Sequence, residues 1–551
     1  MPERILRLMH GSNSFRGRKR SCMESRAASS RPSASFFFAL ALALACYVPA
    51  PAQGGAKSGA AKLPSPDRIV ADYLKAVGGK RRQQSIRDAS YEWNVEGEGA
   101  ATASLRVFRK APASARSDSV TAAGETSVAS NARTAWERSL TGTSQTLTDR
   151  EADAVKLRAA LDAGRLADFK RQDVLARTVA LEQLDAEPAY SIEFSRRNGA
   201  RLRFWFGARS KLPLRVRDDA RRQTINYSDY RPTADGVTEP HRLEIKSDAG
   251  ESVSLTLRSA RYNTNLADSL FEPPGDSKLN VVELLRDVAR NQRELDERVS
   301  EYTFTRKETE REINDRGEVK KEKTLTHEIY PVSGGGRVLK LISEDNVPLA
   351  AERAAKEERR VAEKIEELER ENAKRREKRA EAARKRGESG AGKDGDGDAL
   401  GISVFLRACE FVSPRRESFR GRDAVVFDFR ARPGFKPANR EESIVGKLAG
   451  VIWIDPADRQ VMRMEARLNE GFKVGGGLLA SVRPGSAVVW EQTRLEDGVW
   501  LPKFSQINAA AKLFLFAGVR IDATREYSNY KRFTTKTGDA EVAAPPAKPE
   551  R

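Results

Sequence analysis

His241, His327 and Cys409 are the side chains beyond residue 52 best suited to act as nucleophile, general base or soft metal ligand, and they do not form a set. The two histidines lie far apart with a single cysteine, so no metal-ligand spacing exists. His241 occupies a position taken by Lys503 in a second, related segment, which argues against a shared catalytic base. Asp394, Asp396 and Asp398 open like a calcium loop. The sixth position is then Ala399 instead of the turn-forming Gly, and the twelfth is Phe405 instead of a bidentate Glu, so the run reads as a solvated linker. Gly334–Gly336 and Gly475–Gly477 lack a following Lys-Ser or Lys-Thr and read as turns, not phosphate cradles. With no nucleophile, acid and base constellation, the expectation is a protein that is not an enzyme and holds no metal or cofactor. The remaining chemistry is apolar. Trp93, Phe204, Phe206, Leu255 and Leu257, and further along Phe304, Ile452, Ile454, Phe514 and Phe516, fall on strand-like segments whose inward faces are the candidate ligand contacts.

The elements that must position these residues repeat in order. Ser65-Pro66-Asp67 sets a helix start, and Ile69, Val70, Tyr73, Leu74 and Val77 recur at helical spacing up to Gly78-Gly79. Tyr91, Trp93 and Val95 then alternate with polar residues, as in a strand with one buried face. Strand-like segments continue to Tyr262, with helix-like spacing expected over 151–185, and Phe271-Glu272-Pro273-Pro274 reads as a linker. Asn280 with Glu283 starts a second amphipathic helix carrying Val281, Leu285, Val288, Leu295 and Val299, and strands follow it. Phe204-Trp205-Phe206 and Leu214-Arg215-Val216 match Ile452-Trp453-Ile454 and Met462-Arg463-Met464 at a constant offset of 248. Asp235-Gly236-Val237, Pro240 and Ile245 match Asp497-Gly498-Val499, Pro502 and Ile507 at 262, and Tyr91 and Trp93 match Tyr302 and Phe304 at 211. The pattern predicts two tandem copies, 63–274 and 279–535. The second is lengthened by a charged helix and flexible linker over 351–401 and by a hairpin around 471–484, and 536–551 is expected to be a disordered tail. The charged helix, 351–388, has few apolar residues beyond Val361, Ile365 and Leu368; it reads as a solvated helix, with a coiled-coil or partner-binding arm as the other reading.

Ahead of both copies, Phe36 to Ala45 is a short apolar run preceded by arginines and followed by Ala50-Pro51-Ala52, the pattern of a cleavable signal peptide over 1–52. Met23 is an alternative start that leaves a signal of ordinary size. Ala43-Leu44-Ala45 before Cys46 departs from a lipobox, so no lipid anchor is expected there, and with Cys409 alone beyond residue 52 no internal disulfide is expected. The chain carries +19 formal charge; residues 1–52 hold eight basic and two acidic side chains, leaving +13. For an exported chain this excess favours anionic lipid surfaces over nucleic acid.

Leu212-Pro213-Leu214-Arg215, Tyr227-Ser228-Asp229-Tyr230 before Asp235-Gly236-Val237-Thr238-Glu239-Pro240, and Tyr262-Asn263-Thr264-Asn265 before Leu270-Phe271-Glu272-Pro273-Pro274 together resemble the LolA/LolB superfamily of periplasmic lipoprotein-sorting proteins. The resemblance covers 63–274 and, more faintly, 279–535. It implies an α+β fold of two half-barrels, each a curved antiparallel sheet over helices, with a concave apolar face for a lipid, lipoprotein or other amphiphile in the periplasm. An envelope interaction or stress-sensing scaffold with 351–388 as its protein-binding arm is the second reading, and a hydrolase a distant third.

Overall fold

The computed structural model describes residues 63–532 except 97–102, 186, 197–198, 277, 299–300, 315–317, 334–335, 386–404, 439, 475–479 and 514–516. The expected signal peptide, Cys46, the aspartates of the linker, Gly475–Gly477, Phe514, Phe516 and the tail therefore lie outside the described residues. No described helix is long and apolar enough to cross a membrane.

The first helix, α1 (Pro66–Ala76), starts where its sequence signals it: Ser65 accepts the Arg68 amide, Pro66 fills the first turn, and Ile69, Val70 and Leu74 turn inward. Gly78 and Gly79 follow with φ of +109° and +95°, a backbone open to glycine at little cost. After α2 (Lys80–Ser85) come β1 (Asp88–Glu96), β2 (Ser104–Lys110), β3 (Ser114–Thr121), β4 (Gly124–Asn131), β5 (Ala135–Arg138) and β6 (Ser144–Thr146). The helix α3 (Asp149–Ala163) leads into β7 (Leu175–Gln183), β8 (Pro188–Ser195), β9 (Arg201–Gly207), β10 (Pro213–Asp218), β11 (Gln223–Pro232), β12 (Thr238–Ser247) and β13 (Ser252–Tyr262). The helix-like spacing expected over 151–185 is thus correct only as far as Ala163; Leu175–Gln183 pairs antiparallel with β8 as an edge strand. These strands form one antiparallel sheet in the order β6-β5-β4-β3-β2-β1-β13-β12-β11-β10-β9-β8-β7.

The second half begins with α4 (Val281–Arg298), then β14 (Tyr302–Ile313), β15 (Val319–Pro331), β16 (Arg337–Glu344), β17 (Val347–Pro348) and the long helix α5 (Ala351–Lys385). Beyond it lie β18 (Cys409–Phe419), β19 (Arg422–Ala431), α6 (Arg440–Val445), β20 (Leu448–Asp455), β21 (Gln460–Leu468), the short pair β22 (Phe472–Val474) and β23 (Ala480–Val482), β24 (Ala487–Arg494), β25 (Trp500–Leu513) and β26 (Ala517–Arg532). Its main path runs β17-β16-β15-β14-β26-β25-β24-β21-β20-β19-β18. In both sheets the first strand after the leading helix pairs with the last strand of its half, β1 with β13 and β14 with β26. Trp205 lies opposite Arg215, and Trp453 opposite Arg463. Neither sheet closes into a barrel, since β6, β7, β17 and β18 remain edges.

α5 is not a freely solvated helix. Val361 is buried, Ile365 and Leu368 pack beside it on Val332, Val338 and Tyr330, and Glu357 accepts the Leu341 amide at 2.9 Å. Asn372 donates to the Ser333 carbonyl at 2.9 Å, so the first six turns lie along β16. Three apolar residues spaced four and three apart are enough for one stripe when polar anchors flank it.

The halves meet through a buried polar seam. Asp428 on β19 is fully buried, accepts Thr134 Oγ1, and faces Arg415 Nη1 at 3.2 Å. Arg415 also reaches Thr146 and Glu417, while the Glu417 carboxylate accepts the Thr146 amide at 2.9 Å. Arg463 donates to Asp149 (2.8 Å), Glu465 (2.9 Å) and Glu491 (2.7 Å), and Lys156 meets Glu465 at 3.3 Å. The 271–274 linker is tied to the same region: Trp136 Nε1 donates to the Phe271 carbonyl, and Glu272 accepts from Asn131 and Arg133. Breaking one partner of such buried pairs costs about 3–5 kcal/mol, so this seam fixes one arrangement of the halves.

Candidate functional site: a cavity under the first sheet

α3 touches β2, β3, β4 and β5 on one side and β9 on the other, although β9 is six positions from β2 in the sheet order. The sheet therefore curls around the helix. Ala152, Ala154, Ala159, Ala160 and Ala163 of α3 are buried beside Leu157 and Leu161, and Val155, Arg158, Ala159, Leu161 and Asp162 line the hollow it faces. Alanine costs no side-chain entropy in a helix, so this composition favours the helical state. A cavity of about 400 Å³ remains between α3 and the sheet.

One wall is apolar: Trp93, Leu105, Val107, Leu243, Ile245 and Leu255. Charged and polar side chains share the rest of the lining. Arg165 Nη2 donates to Glu239 Oε1 at 2.7 Å, Arg165 Nη1 to Tyr91 Oη at 2.8 Å, and Arg165 Nε to the Gln83 amide oxygen. Tyr91 and Tyr262 each donate to the same Glu239 oxygen at 3.0 Å. Beside them Arg158 donates to Asp162 and to Tyr227 Oη, both at 2.7 Å, and Arg109 lies 3.5 Å from Asp162 and 5.0 Å above the Tyr91 ring. Burial alone would raise the carboxyls of Glu239 and Asp162; Arg165 in the first case and Arg158 in the second hold them below their ordinary values, so both are anions at neutral pH. Arg109 keeps a buried Nε with no hydrogen-bond partner.

The backbone delivers Arg165 to this position. α3 stops at Gly164, and Arg165 and Leu166 both adopt left-handed conformations, φ +49° and +58°. Such backbone is disfavoured for residues other than glycine, and here the buried network on one side and Leu166 in the core on the other stabilise it.

Of the apolar residues expected at ligand faces, Trp93, Phe204 and Leu255 line this cavity. Phe206 is fully buried beneath Tyr73, with ring centroids 5.7 Å apart, and Leu257 lies across the strand pair from Trp93. In the second half Ile452 and Ile454 are enclosed in a core with Val281, Leu285 and Val288 of α4 and with Phe405 and Phe427. Phe304 packs on Tyr527 and Tyr530, with the Arg337 guanidinium 5.7 Å above its ring. Arg109, Arg158, Asp162, Arg165 and Glu239 were not legible as a group, since they come from three separate stretches of chain. The one local signal was a helix stop at Gly164 followed directly by an arginine. No group of metal-ligating side chains is found among the described residues.

No family model matches the chain, and no curated protein does. Solved structures that are similar to it include a putative outer membrane lipoprotein-sorting protein domain from Vibrio parahaemolyticus, at 13% identity and TM-score 0.27, covering 37% of this chain and 95% of that one. A DUF1329 family protein from Desulfovibrio piger is 17% identical, with TM-score 0.27 over 37% of this chain and 97% of its own. A LolA superfamily protein from Nitrosomonas europaea is 15% identical, with TM-score 0.27 over 38% and 98%. At these identities and TM-scores the likenesses assign no residue and no ligand to this chain.

Proposed function

We propose that this protein is a non-catalytic binding or carrier protein for a lipid, an acylated protein or another amphiphile, working in the periplasm after removal of residues 1–52. The cavity under the first sheet carries this reading: the apolar Trp93, Val107 and Leu255 share its lining with a cationic group of Arg109, Arg158 and Arg165. An amphiphile has that polarity, and about 400 Å³ lies within the roughly 300–1,000 Å³ of ordinary small-molecule sites. In the same reading the two halves descend from a tandem duplication, and 351–401 is a later insertion in the second copy. The constant sequence offsets and the matching strand order support this ancestry.

Binding of a dansyl-labelled fatty acid to the purified chain, with lipid extraction of the protein as isolated, tests the proposal. Val107→Trp should weaken the probe at least about tenfold while leaving the far-ultraviolet spectrum unchanged, because the indole occupies the hollow. Extracts free of acyl species, together with no probe binding by the wild-type chain, would overturn the reading.

A further inference from the structure

Four arginines are buried among the described residues: Arg165, Arg196, Arg415 and Arg463. Three of them are neutralised by carboxylates within hydrogen-bond distance, Arg165 by Glu239, Arg415 by Glu417 and Arg463 by Glu491. Arg196 differs. It is 9% exposed, its Nε is buried without a hydrogen-bond partner, and no side-chain hydrogen bond or ion pair of it is found among the described residues. It lies at the end of β8 and faces a cleft of about 1400 Å³ between the two halves.

Four arginines line this cleft from the other half, Arg430, Arg467, Arg483 and Arg520; Arg430 is paired with Glu410, whereas Arg467 on β21 and Arg483 after β23 have no side-chain ion pair among the described residues. Burial and the like charge of Arg467 push Arg196 down to about 9, while Asp173 and Asp153 oppose that fall. A guanidinium does not give up its proton in a protein, so the strain is relieved by a counter-ion and not by neutralisation. Lys156 and Glu465, also at the cleft, satisfy one another at 3.3 Å and add no net charge. Asp153 and Asp173 reduce the positive field without cancelling it, since the whole lining carries eight arginines and two lysines against five carboxylates. Several guanidinium groups lining one water-accessible hollow suit a phosphoryl group, which accepts paired N–H bonds on its oxygens.

We propose that the cleft between the halves is a binding site for a phosphoryl anion, held by Arg196 and Arg467 with Arg483 at its rim. This site is separate from the cavity under the first sheet and does not depend on the function proposed for it. The phosphoryl group belongs either to a lipid headgroup or to a soluble phosphate.

Thermal unfolding of the full chain in phosphate-free buffer, titrated with inorganic phosphate and with chloride at matched ionic strength, tests the proposal. The wild-type chain should gain about 2–4 °C at saturating phosphate and nothing from chloride. Arg196→Met should unfold at the same temperature as wild type or higher without phosphate, since it removes an uncompensated buried charge, and should lose the phosphate response. Arg467→Gln should lose most of that response. Flotation with phosphatidylglycerol–phosphatidylcholine vesicles separates the sources: Arg196-dependent flotation assigns a lipid headgroup, and a phosphate response without flotation assigns a soluble phosphate. A lower unfolding temperature for Arg196→Met without phosphate would mean that Arg196 already has a structural partner and would overturn the site, as would an equal phosphate gain in both chains.

Discussion

Under the first sheet, α3 lines a hollow with Val155, Arg158, Ala159, Leu161 and Asp162; under the second, α4 and the Phe405 segment press large apolar side chains against β19 and β20 and leave Ile452 and Ile454 enclosed. The strand orders agree, so the sheet does not decide which half has room for a ligand. The covering segments differ in chemistry: α3 turns Arg158 and Asp162 toward the hollow, whereas aliphatic and aromatic side chains fill the second half. The hollow half then needs a different source of rigidity, and it has one in the Arg165–Glu239–Tyr91–Tyr262 network at the end of its cavity. The filled half relies on dispersion and burial, at about 1.5–3 kcal/mol for each fully buried large side chain.

The largest expected effect breaks the polar floor. Arg165→Met leaves Glu239 as a buried anion without its counter-charge and should lower stability by about 3–5 kcal/mol, measured by urea unfolding. Adding Glu239→Leu to that variant should restore more than half of the loss, because no buried charge is then left alone. A loss under about 1 kcal/mol in the single variant would show that the network does not support the first half.

The next pair of variants sets the two concave faces against each other. Ile454→Ala should cost about 3–5 kcal/mol, since Ile454 is fully buried and its neighbours can close the void only in part. Leu255→Ala, on the cavity wall, should cost about 2–3 kcal/mol, because one side of Leu255 already faces open volume. Fatty-acid probe affinity should change in Leu255→Ala and not in Ile454→Ala. The reverse pattern would move the ligand site to the second half.

How much of this was legible follows the same division. β1 reads directly from Tyr91, Trp93 and Val95, and the Trp205 and Trp453 strands from the constant offset, because large apolar residues alternate there against polar ones. β3, Ser114–Thr121, and β4, Gly124–Asn131, are serine-rich and give no such alternation; they are strands because they pair with β2 and β5 and are covered by α3. β7 was hidden for the same reason, its apolar residues being too evenly scattered to separate a strand from a helix. Arg196 had no signal of its own. Ser195-Arg196-Arg197-Asn198-Gly199 reads from sequence as an exposed turn, and the cleft that Arg196 lines includes residues of the second half, far away in sequence. Arg165 is likewise a surface residue by sequence, with Glu239 seventy-four positions away.

The smallest expected effect compares two acids with opposite shifts. Asp153, on α3 beside the seam, is raised from 3.8 to about 6 by burial first and by Glu465, with Lys156 opposing. Its folded form therefore holds a proton more tightly than the unfolded chain does. That contribution to stability is complete below about pH 3.8 and is lost as pH rises through about 6, leaving a poorly solvated carboxylate at neutral pH. Asp153→Asn copies the protonated form, so it should stabilise the chain by about 1–2 kcal/mol at pH 7.5 and by almost nothing near pH 4, after allowance for the partial exposure of Asp153. Glu239 runs the other way. Burial would raise its carboxyl, but Arg165 holds it below the ordinary value, so its contribution is present above the unfolded carboxyl range and fades as pH falls through the lowered one. Glu239→Gln should thus cost most at neutral pH and least in acid. Parallel pH profiles for the two variants would break the distinction between an acid held by a partner in the cavity and an acid buried against the seam.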